Sequence, residues 1–267
     1  MKRLLIAVLL CLLVSGFASA DTVREYTLQP AEINVEALLT ITFEDQAKNA
    51  QTDDREYLFY ELPGYDGRPF CGLDDTVGFG QLRLSGYPYL PDSEHPSVFT
   101  DNVEPSGVAK CSLTSEEALQ KSEAWLKALG ITDAYLQSVT AYGKLEKYTG
   151  VYLLAFGQQL NGLPVYWAAA TQRDEWTKPQ SNRIEIIIGD SGLISLYGYW
   201  SEFEPVSRET EITSEVDAGA RFSAMGLEMG YDELCYLLTG TRDAAMATLA
   251  YRYQNRFISA ADGSVLQ

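Results

Sequence analysis

Residues 150–166 read GVYLLAFGQQLNGLPVY and decide more about the fold than any other stretch of the chain. The segment 150–160 is rich in apolar and aromatic residues, as β-strands are. Asn161 and Gly162 follow, a pair that favours the two-residue turns joining antiparallel strands. A second strand-like segment, 165–172, comes shortly after the turn. The stretch therefore predicts a β-hairpin.

An amphipathic helix is predicted before this hairpin, beginning at Thr114. Thr114 can cap the helix while Glu117 reaches back to it, which is the spacing of a capping box. Gly130 provides a C-terminal stop, because glycine readily takes the left-handed conformation needed there. One apolar stripe at helical spacing consists of Ala118, Leu119, Ser122, Trp125, Leu126 and Leu129.

A second helix and more strands are predicted further along the chain. The helix begins at Ser214, with Asp217 as its capping partner, and runs towards Gly230. The remaining strand-like segments are 135–142, 183–188, 193–200, 235–238 and 248–258.

The two helices belong to an internal repeat. Residues 113–116 read LTSE and residues 212–215 read ITSE, and each tetrapeptide opens a helix followed by strands. The strand sets end similarly, in DSGLI at 190–194 and DGSVL at 262–266. We therefore predict an α+β fold with tandem helix-on-antiparallel-sheet units, at residues 113–205 and, shorter, at 206–267.

The preceding part of the chain divides into two regions. Residues 1–20 have the three parts of a secretory signal peptide: Lys2 and Arg3, a short apolar run, and Ala18-Ser19-Ala20. We expect cleavage after Ala20, with lipid anchoring at Cys11 as the less favoured alternative. Residues 21–112 form a strand- and loop-rich N-terminal region, with strands predicted at 35–43, 56–62 and 79–84.

Charge and cysteine content limit the partners and the covalent chemistry. A net charge of −17 opposes binding to nucleic acid and to anionic membranes, and no segment after the signal predicts stable membrane insertion. Cys71, Cys111 and Cys235 remain after signal cleavage, so at most one internal disulfide can form. Cys71 with Cys111 is the preferred pair, and Cys235 is predicted to be a buried thiol.

One string resembles a catalytic motif. Residues 189–192 read GDSG, like the nucleophile segment of chymotrypsin-like proteases, and His95 is the only histidine. A hairpin turn is the favoured interpretation, because alternating isoleucines precede the string and apolar residues resume after it. A carboxylate pair stays open, since nothing singles out two of the many acidic residues. We predict no catalytic, cofactor-binding or metal-binding residues.

The C-terminal two-thirds, about residues 114–267, resembles the PepSY-like regulatory domains of exported bacterial proteins, especially the YycH and YycI type. Residues 156–165 follow that family's F-x-Q-x-x-N-G-x-P-V stretch, and residues 258–265 (ISAADGSV) are similar to its final strand and turn. The ending is also similar to uncharacterised secreted proteins of Gram-positive bacteria. The resemblance implies a regulatory or inhibitory binding domain without catalytic residues. Those regulators keep an N-terminal membrane helix, whereas this signal is predicted to be cleaved.

These observations lead to one functional expectation and two alternatives. We expect a secreted, non-enzymatic binding or regulatory protein, peptidase-inhibitory or signalling, with a protein or peptide partner and no cofactor. The first alternative is a secreted hydrolase, using a carboxylate pair or Ser191 with His95. The second is a structural component of the cell surface.

Overall fold

The computed structural model describes residues 22–53, 58–62, 70–88, 112–145, 148–167, 179–212, 215–227 and 232–266. Predictions that fall on the signal segment, on His95, on Cys111 or on Ser214 lie outside these ranges. The described helices are α1 (Val35–Phe43), α2 (Ser115–Ala128) and α3 (Glu215–Ala224), with a 3-10 helix at Glu44–Asn49. The described strands are β1 (Thr22–Pro30), β2 (Gln51–Asp53), β3 (Leu58–Glu61), β4 (Phe70–Asp74), β5 (Leu82–Tyr87), β6 (Ala134–Leu145), β7 (Tyr148–Leu160), β8 (Leu163–Trp167), β9 (Arg183–Gly189), β10 (Gly192–Glu211), β11 (Glu233–Thr241), β12 (Ala244–Tyr253) and β13 (Arg256–Ser259).

The described chain is a strand-rich protein of mixed α and β structure with one large sheet, which agrees with the predicted class at that coarse level. The hydrogen-bonded order is β1-β12-β11-β8-β7-β9-β10, and β10 pairs again with β1, so this path returns to its start. Strands β5, β4, β3 and β2 extend from β10, while β6 pairs with β7 and β13 with β12. All these pairings are antiparallel except β8 with β11.

The 20-residue strand β10 joins the two parts of the sheet. Its residues 192–198 pair with β9, and its residues 196–200 pair with β5. From Ser201 onwards it pairs with β1, where Ser201 faces Pro30. The partner of β10 thus changes from β5 to β1 between Trp200 and Ser201.

The predicted hairpin is confirmed. β7 and β8 are antiparallel, and Leu160 pairs with Leu163. Asn161 (φ 53°) and Gly162 (φ 78°) form the turn, as a type I′ connection requires. The GDSG string is likewise a turn, because Gly189 pairs with Gly192 at the tip of the β9–β10 hairpin.

The strand predicted at 35–43 is wrong, because these residues form α1. The Asn34 side chain accepts a hydrogen bond from the N–H of Ala37 at 3.2 Å, which caps the helix. Leu38, Ile41 and Thr42 are buried, at the i, i+3, i+4 spacing of one helix face. Burial of this face against the sheet therefore outweighs the strand preference of its β-branched residues.

Helix α2 begins and ends as predicted. Both bonds of the capping box between Thr114 and Glu117 are present. Gly130 (φ 93°) follows the last turn, and the Ile131 N–H donates to the Leu126 carbonyl at 2.9 Å, as in a Schellman motif. Three buried residues of α2, Ala118, Ser122 and Leu126, belong to the predicted stripe.

Two predicted boundaries in the last part of the chain are wrong. Helix α3 does not run to Gly230 but ends at Ala224, because Gly226 (φ 79°) provides the left-handed residue earlier. The Leu227 N–H then donates to the Phe222 carbonyl at 3.1 Å. The single strand predicted at 248–258 is two strands, β12 and β13, separated by a turn at Gln254 (φ 52°).

The connection between β4 and β5 attaches one part of the sheet to the other. The strand predicted at 79–84 begins only at Leu82, because Phe79 (φ 60°) lies in a turn. The Phe79 ring is buried in the core formed by β11, β12 and α3. A Cβ on Gly80 would lie 2.2 Å from the carbonyl oxygen of Leu28, so only glycine fits this approach to β1.

Candidate functional site: an acidic cleft at the sheet junction

A cleft of about 430 Å³ lies where β10 changes partners. Four chain segments line it: the connection after β1, the loop between α2 and β6, the end of β7, and β10 at the junction. The lining residues are Ala31, Glu32, Ile33, Gly130, Ile131, Thr132, Asp133, Gln159, Leu160, Asn161, Trp200, Ser201, Glu202 and Phe203.

Backbone hydrogen bonds hold these segments together. The Asn34 N–H donates to the Leu129 carbonyl at 3.1 Å, which ties the start of α1 to the end of α2. The Gln159 N–H donates to the Asp133 carbonyl at 2.9 Å, which ties β7 to the α2–β6 loop. The Glu32 N–H donates to Glu202 Oε1 at 3.0 Å, which ties the connection after β1 to β10. Hydrogen bonds thus join three separate pairs of the segments that form the walls of the cleft.

Asp133 is the half-buried carboxylate of the cleft. Its Oδ1 accepts a hydrogen bond from Trp200 Nε1 at 3.1 Å, and its Oδ2 accepts one from Gln158 Nε2 at 2.6 Å. Both donors are neutral, and each carboxylate oxygen has a second lone pair. Two donated hydrogen bonds fix the position of this carboxylate without neutralising its charge.

The buried amide side chains of Gln158, Asn182 and Gln81 form a hydrogen-bonded row that begins at Asp133. We call this row the floor of the cleft. Gln158 is fully buried, and its Nε2 also donates to the Ser201 carbonyl at 2.7 Å. Its Oε1 accepts from Asn182 Nδ2 at 2.6 Å, and Asn182 Oδ1 accepts from Gln81 Nε2 at 2.6 Å. A buried polar network of this kind stabilises one arrangement strongly when each member is satisfied. It therefore makes the floor of the cleft rigid.

The charge of the cleft is negative. Its described lining contains three carboxylates, Glu32, Asp133 and Glu202, and no lysine, arginine or histidine. The Ser201 hydroxyl is buried, with the residue 1% exposed, and has no hydrogen-bond partner among the described residues. Native proteins rarely leave a buried polar group unpaired, so this one calls for an explanation.

The structure describes only one member of the predicted serine alternative. Ser191 is exposed at the β9–β10 turn. Its neighbour Asp190 accepts hydrogen bonds from the hydroxyl and the backbone N–H of Ser112, each at 2.7 Å, and these bonds lower the pKa of the Asp190 carboxyl. His95 lies outside the described residues. Asp190 thus ties the β9–β10 turn to the segment before α2.

Neither of the two described cysteines is a reactive thiol. Cys71 and Cys235 are buried free thiols, and burial raises the pKa of each to about 12. The buried state predicted for Cys235 is therefore confirmed. Cys71 lacks the disulfide preferred on sequence grounds, and its proposed partner Cys111 lies outside the described ranges.

Within the described part of the chain, no group of three or more His, Cys, Asp and Glu side chains is arranged to hold a metal ion. None of the described helices combines the length and apolar character needed to cross a membrane.

Sequence reasoning missed the cleft because its residues come from four distant segments. The strongest available signal was the F-x-Q-x-x-N-G stretch, since Gln158 supports the floor and Asn161 lines the wall. Asn161 Nδ2 also donates to the hydroxyl of Tyr26 at 2.7 Å, which connects the hairpin turn to β1. Glu32 and Glu202 belong to no sequence motif. They are recognised only in the structure, where the Glu32 backbone N–H donates to the Glu202 side chain.

Comparison with known proteins gives a likeness of fold. No protein-family model matches the sequence, and no curated protein matches it. The structure is similar to the crystal structure of an uncharacterized protein from Eubacterium rectale, with a TM-score of 0.58 and 9% identity over 92% of this chain and 86% of that chain. The YpeB C-terminal domain of Bacillus megaterium gives a TM-score of 0.33 and 12% identity over 87% of this chain and 94% of that one. The first likeness establishes a shared fold alone, and the second superposition is too loose to support an argument.

Proposed function

We propose that this protein is a non-enzymatic binding module that acts outside the cytoplasm and takes its ligand in the acidic cleft. The observation that carries the proposal is a concave site whose walls are already held together by hydrogen bonds. Ligand sites are usually preformed clefts with a few convergent polar groups. The ligand is part of a protein or peptide partner, and its capture would inhibit a peptidase or regulate a signalling protein.

The sequence supports the proposed location outside the cytoplasm, and the packing of two helices supports the proposed relationship to PepSY-like proteins. Residues 1–20 have the organisation of a cleavable signal peptide, and the acidic composition suits a protein outside the cell. Helix α2 packs on β6, β7 and β9, while Ala218 and Phe222 of α3 are buried with residues of β11 and β12. We propose that these are the two tandem units of a PepSY-like protein.

The proposal is tested by blocking the cleft sterically. Thr132 is exposed at its wall, so Thr132→Trp would fill the space without changing the charge. The matched control is Thr241→Trp, at an exposed position on the far end of β11. Purified protein is used to capture partners from the producing cell's envelope and medium, with untagged protein as competitor. Capture of one competed partner by wild type and control, and not by Thr132→Trp, supports the proposal; equal capture by all three contradicts it.

A carboxylate-pair hydrolase is the second candidate, because the cleft brings Glu32, Asp133 and Glu202 together beside Trp200. A general acid must keep its proton near neutral pH, which normally requires burial. Glu32 and Glu202 are exposed, and both oxygens of Asp133 already accept hydrogen bonds from neutral donors, so the arrangement suits binding better. Hydrolysis of any member of a panel of glycosides, lost in Glu202→Gln, would reverse this preference.

The third candidate, a structural component of the cell surface, predicts self-association in place of a discrete ligand. Sedimentation velocity distinguishes it, since a binding module of this charge stays monomeric over a wide concentration range. Reversible growth into larger species would favour the structural role.

A further inference from the structure

Strand β6 forms an open edge of the sheet in the described structure. It pairs with β7 along its length, and no other described strand pairs with it. Two of its apolar side chains reach the surface, since Leu136 is 38% exposed and Val139 is 37% exposed. Gln137 and Ser138, which lie between them, are exposed as well. This part of β6 is therefore accessible to a further strand.

The geometry of the ladder directs backbone groups of β6 towards the open side. The Gln158 N–H donates to the Asn182 carbonyl at 3.2 Å, on the β9 side of β7. Phe156 and Leu154 bond in the same direction, because alternate residues of a strand do so. These two residues are the partners of the two exposed apolar residues of β6. The N–H and C=O groups of that apolar pair therefore point away from β7.

A β-bulge places the two exposed apolar side chains on one face of the sheet. Gln137 is the extra residue of this bulge. Leu136 and Val139, on either side of it, lie opposite core residues of β7, on the face where α2 packs. A strand added to β6 would thus pair with its backbone and bring alternate side chains against Leu136 and Val139.

β6 lacks most of the protection that the other edges of this sheet have. Edge strands are usually short, or they carry charge or proline, and these features block unwanted pairing. β2 has three residues and contains Asp53, while β13 has four residues and contains Arg256. β6 has 12 residues, and its segment 134–142 (AYLQSVTAY) contains neither charge nor proline. The bulge at Gln137 is what interrupts it, so the edge suits a partner strand.

We propose that the β6 edge binds an extended segment of a partner polypeptide by strand addition. This inference rests on the proposed function, because the partner is the one whose other part occupies the cleft. The cleft is continuous with this edge, since Asp133 lines the cleft and Ala134 begins β6. From Asp133 to Val139 the strand spans roughly 20 Å, which is enough for about six residues of an added strand.

Charge defines the chemistry of the bound segment. The chain has a net charge of −17, which repels acidic partners and a second copy of the chain, and attracts basic partners. The exposed stretch of β6 is uncharged, so a charge within the paired part of the segment would lose hydration without compensation. The segment therefore has apolar side chains at alternate positions, towards Leu136 and Val139, and basic residues beside its paired part.

The experiment follows hydrogen exchange of single amides in β6, by mass spectrometry with electron-transfer fragmentation, while peptides are added to the purified protein. The probe peptide is KTVTVTVTK with blocked ends. One control peptide is N-methylated at every valine and threonine, which removes its backbone donors, and another has glutamate in place of both lysines. We expect saturable slowing of exchange at Leu136 and Val139 with the probe and none with the methylated peptide. The glutamate peptide should bind at least about tenfold more weakly at low salt.

Matched variants locate the binding. Val139→Lys adds a charge to the edge, and we expect it to weaken binding of the probe at least about tenfold. Val265→Lys makes the same change at a residue that is 56% exposed and lies outside β6, and it should change the affinity less than about twofold. The two variants have the same net charge, so a difference between them reflects the place of the substitution.

Four results would overturn the proposal. The first three are no binding of the probe up to about 1 mM, equal binding of the methylated peptide, and equal weakening by the two variants. The fourth is slow exchange of the Leu136 and Val139 amides in the free protein, because the edge would then be covered already. Dependence of that slow exchange on protein concentration would identify a second copy as the cover, and independence would identify another part of the chain.

Partner capture separates this inference from the proposed function. Capture that Thr132→Trp blocks and Val139→Lys leaves unchanged would show that the cleft works without the edge, so the function stands and strand addition is wrong. Capture unchanged in both variants, with the probe peptide bound as expected, would retain the edge as a binding site and contradict the proposed function. We expect both variants to lose capture and Val265→Lys to keep it.

Discussion

Replacement of Gln158 by glutamate tests the physical account of the cleft floor. The substitution keeps the size of the side chain but removes the Nε2 donor to Asp133 Oδ2 and to the Ser201 carbonyl. In its place stands a carboxylate oxygen within about 3 Å of two other oxygens, at a fully buried position. The charge repulsion and the loss of two hydrogen bonds both destabilise the folded state.

The expected cost is large for a single substitution. Leaving a buried acceptor without its donor costs about 1–3 kcal/mol, and an uncompensated buried charge costs about 3–5 kcal/mol. These contributions overlap, so we expect Gln158→Glu to lower the free energy of unfolding by about 3–5 kcal/mol at pH 7. For a chain of this size, that corresponds to a fall in melting temperature on the order of 10 °C.

The loss of stability in Gln158→Glu depends on pH, and this dependence shows the electrostatic contribution to the loss. Burial near Asp133 raises the folded-state pKa of the new carboxyl above its unfolded value of about 4.3. The deficit relative to wild type is therefore smallest below about pH 4.3, where the protonated group can donate again, and it grows as the pH rises through the folded-state pKa. Thermal and urea unfolding between pH 4 and 8 measure this difference.

Gln137 provides a matched control for the substitution at Gln158. Gln137→Glu makes the same chemical change at an exposed position, where the side chain donates to the hydroxyl of Tyr135, and should cost less than about 1 kcal/mol. A Gln158→Glu protein as stable as wild type at pH 7, or a deficit that does not vary with pH, would refute the account of the floor.

Three further predictions follow from features outside the cleft. Gly80→Ala should destabilise by several kcal/mol, whereas Gly162→Ala should cost only about 1–2 kcal/mol, because both have positive φ but only the first meets the Leu28 backbone; equal losses in urea unfolding would contradict this. Iodoacetamide should modify Cys71 and Cys235 only after unfolding, since burial raises the pKa of both thiols to about 12, and mass spectrometry of native and unfolded protein decides it. The Asp190 carboxyl should titrate below its ordinary range and return part of the way towards it in the Ser112→Ala variant, which keeps the backbone N–H bond; a midpoint unmoved by that change in ¹³C NMR would show that the hydroxyl plays no part.

Local signals in the sequence predict local structure well in this protein. The capping box at Thr114 and the turn at Asn161-Gly162 need only neighbouring residues, and the structure contains both. α1 was mispredicted because VEALLTITF has the composition of a strand, while the helical spacing of Leu38, Ile41 and Thr42 becomes decisive only once a sheet covers that face.

The cleft lay beyond sequence reasoning for a related reason. Its carboxylates stand at positions 32, 133 and 202, and only the pairing of β1 with β10 brings the first and last of them together. A sequence with 37 acidic residues offers very many such triplets, so composition alone could not select this one. The orphan hydroxyl of Ser201 is visible only when burial and hydrogen bonding are known.

The position of β1 determines when the molecule can finish folding. Tyr26 pairs with Pro205 of β10 and with Ala247 of β12, so the first described strand waits for strands near the other end of the chain. Closing loops of this length costs entropy before any contact compensates it, which makes high-contact-order proteins slow to fold. A chain that emerges N-terminus first must keep β1 unpaired until β10 has emerged, and the pairing of β1 with β12 must wait until residue 247. The lining of the cleft runs from Ala31 to Phe203, so the cleft cannot form before β10 has emerged.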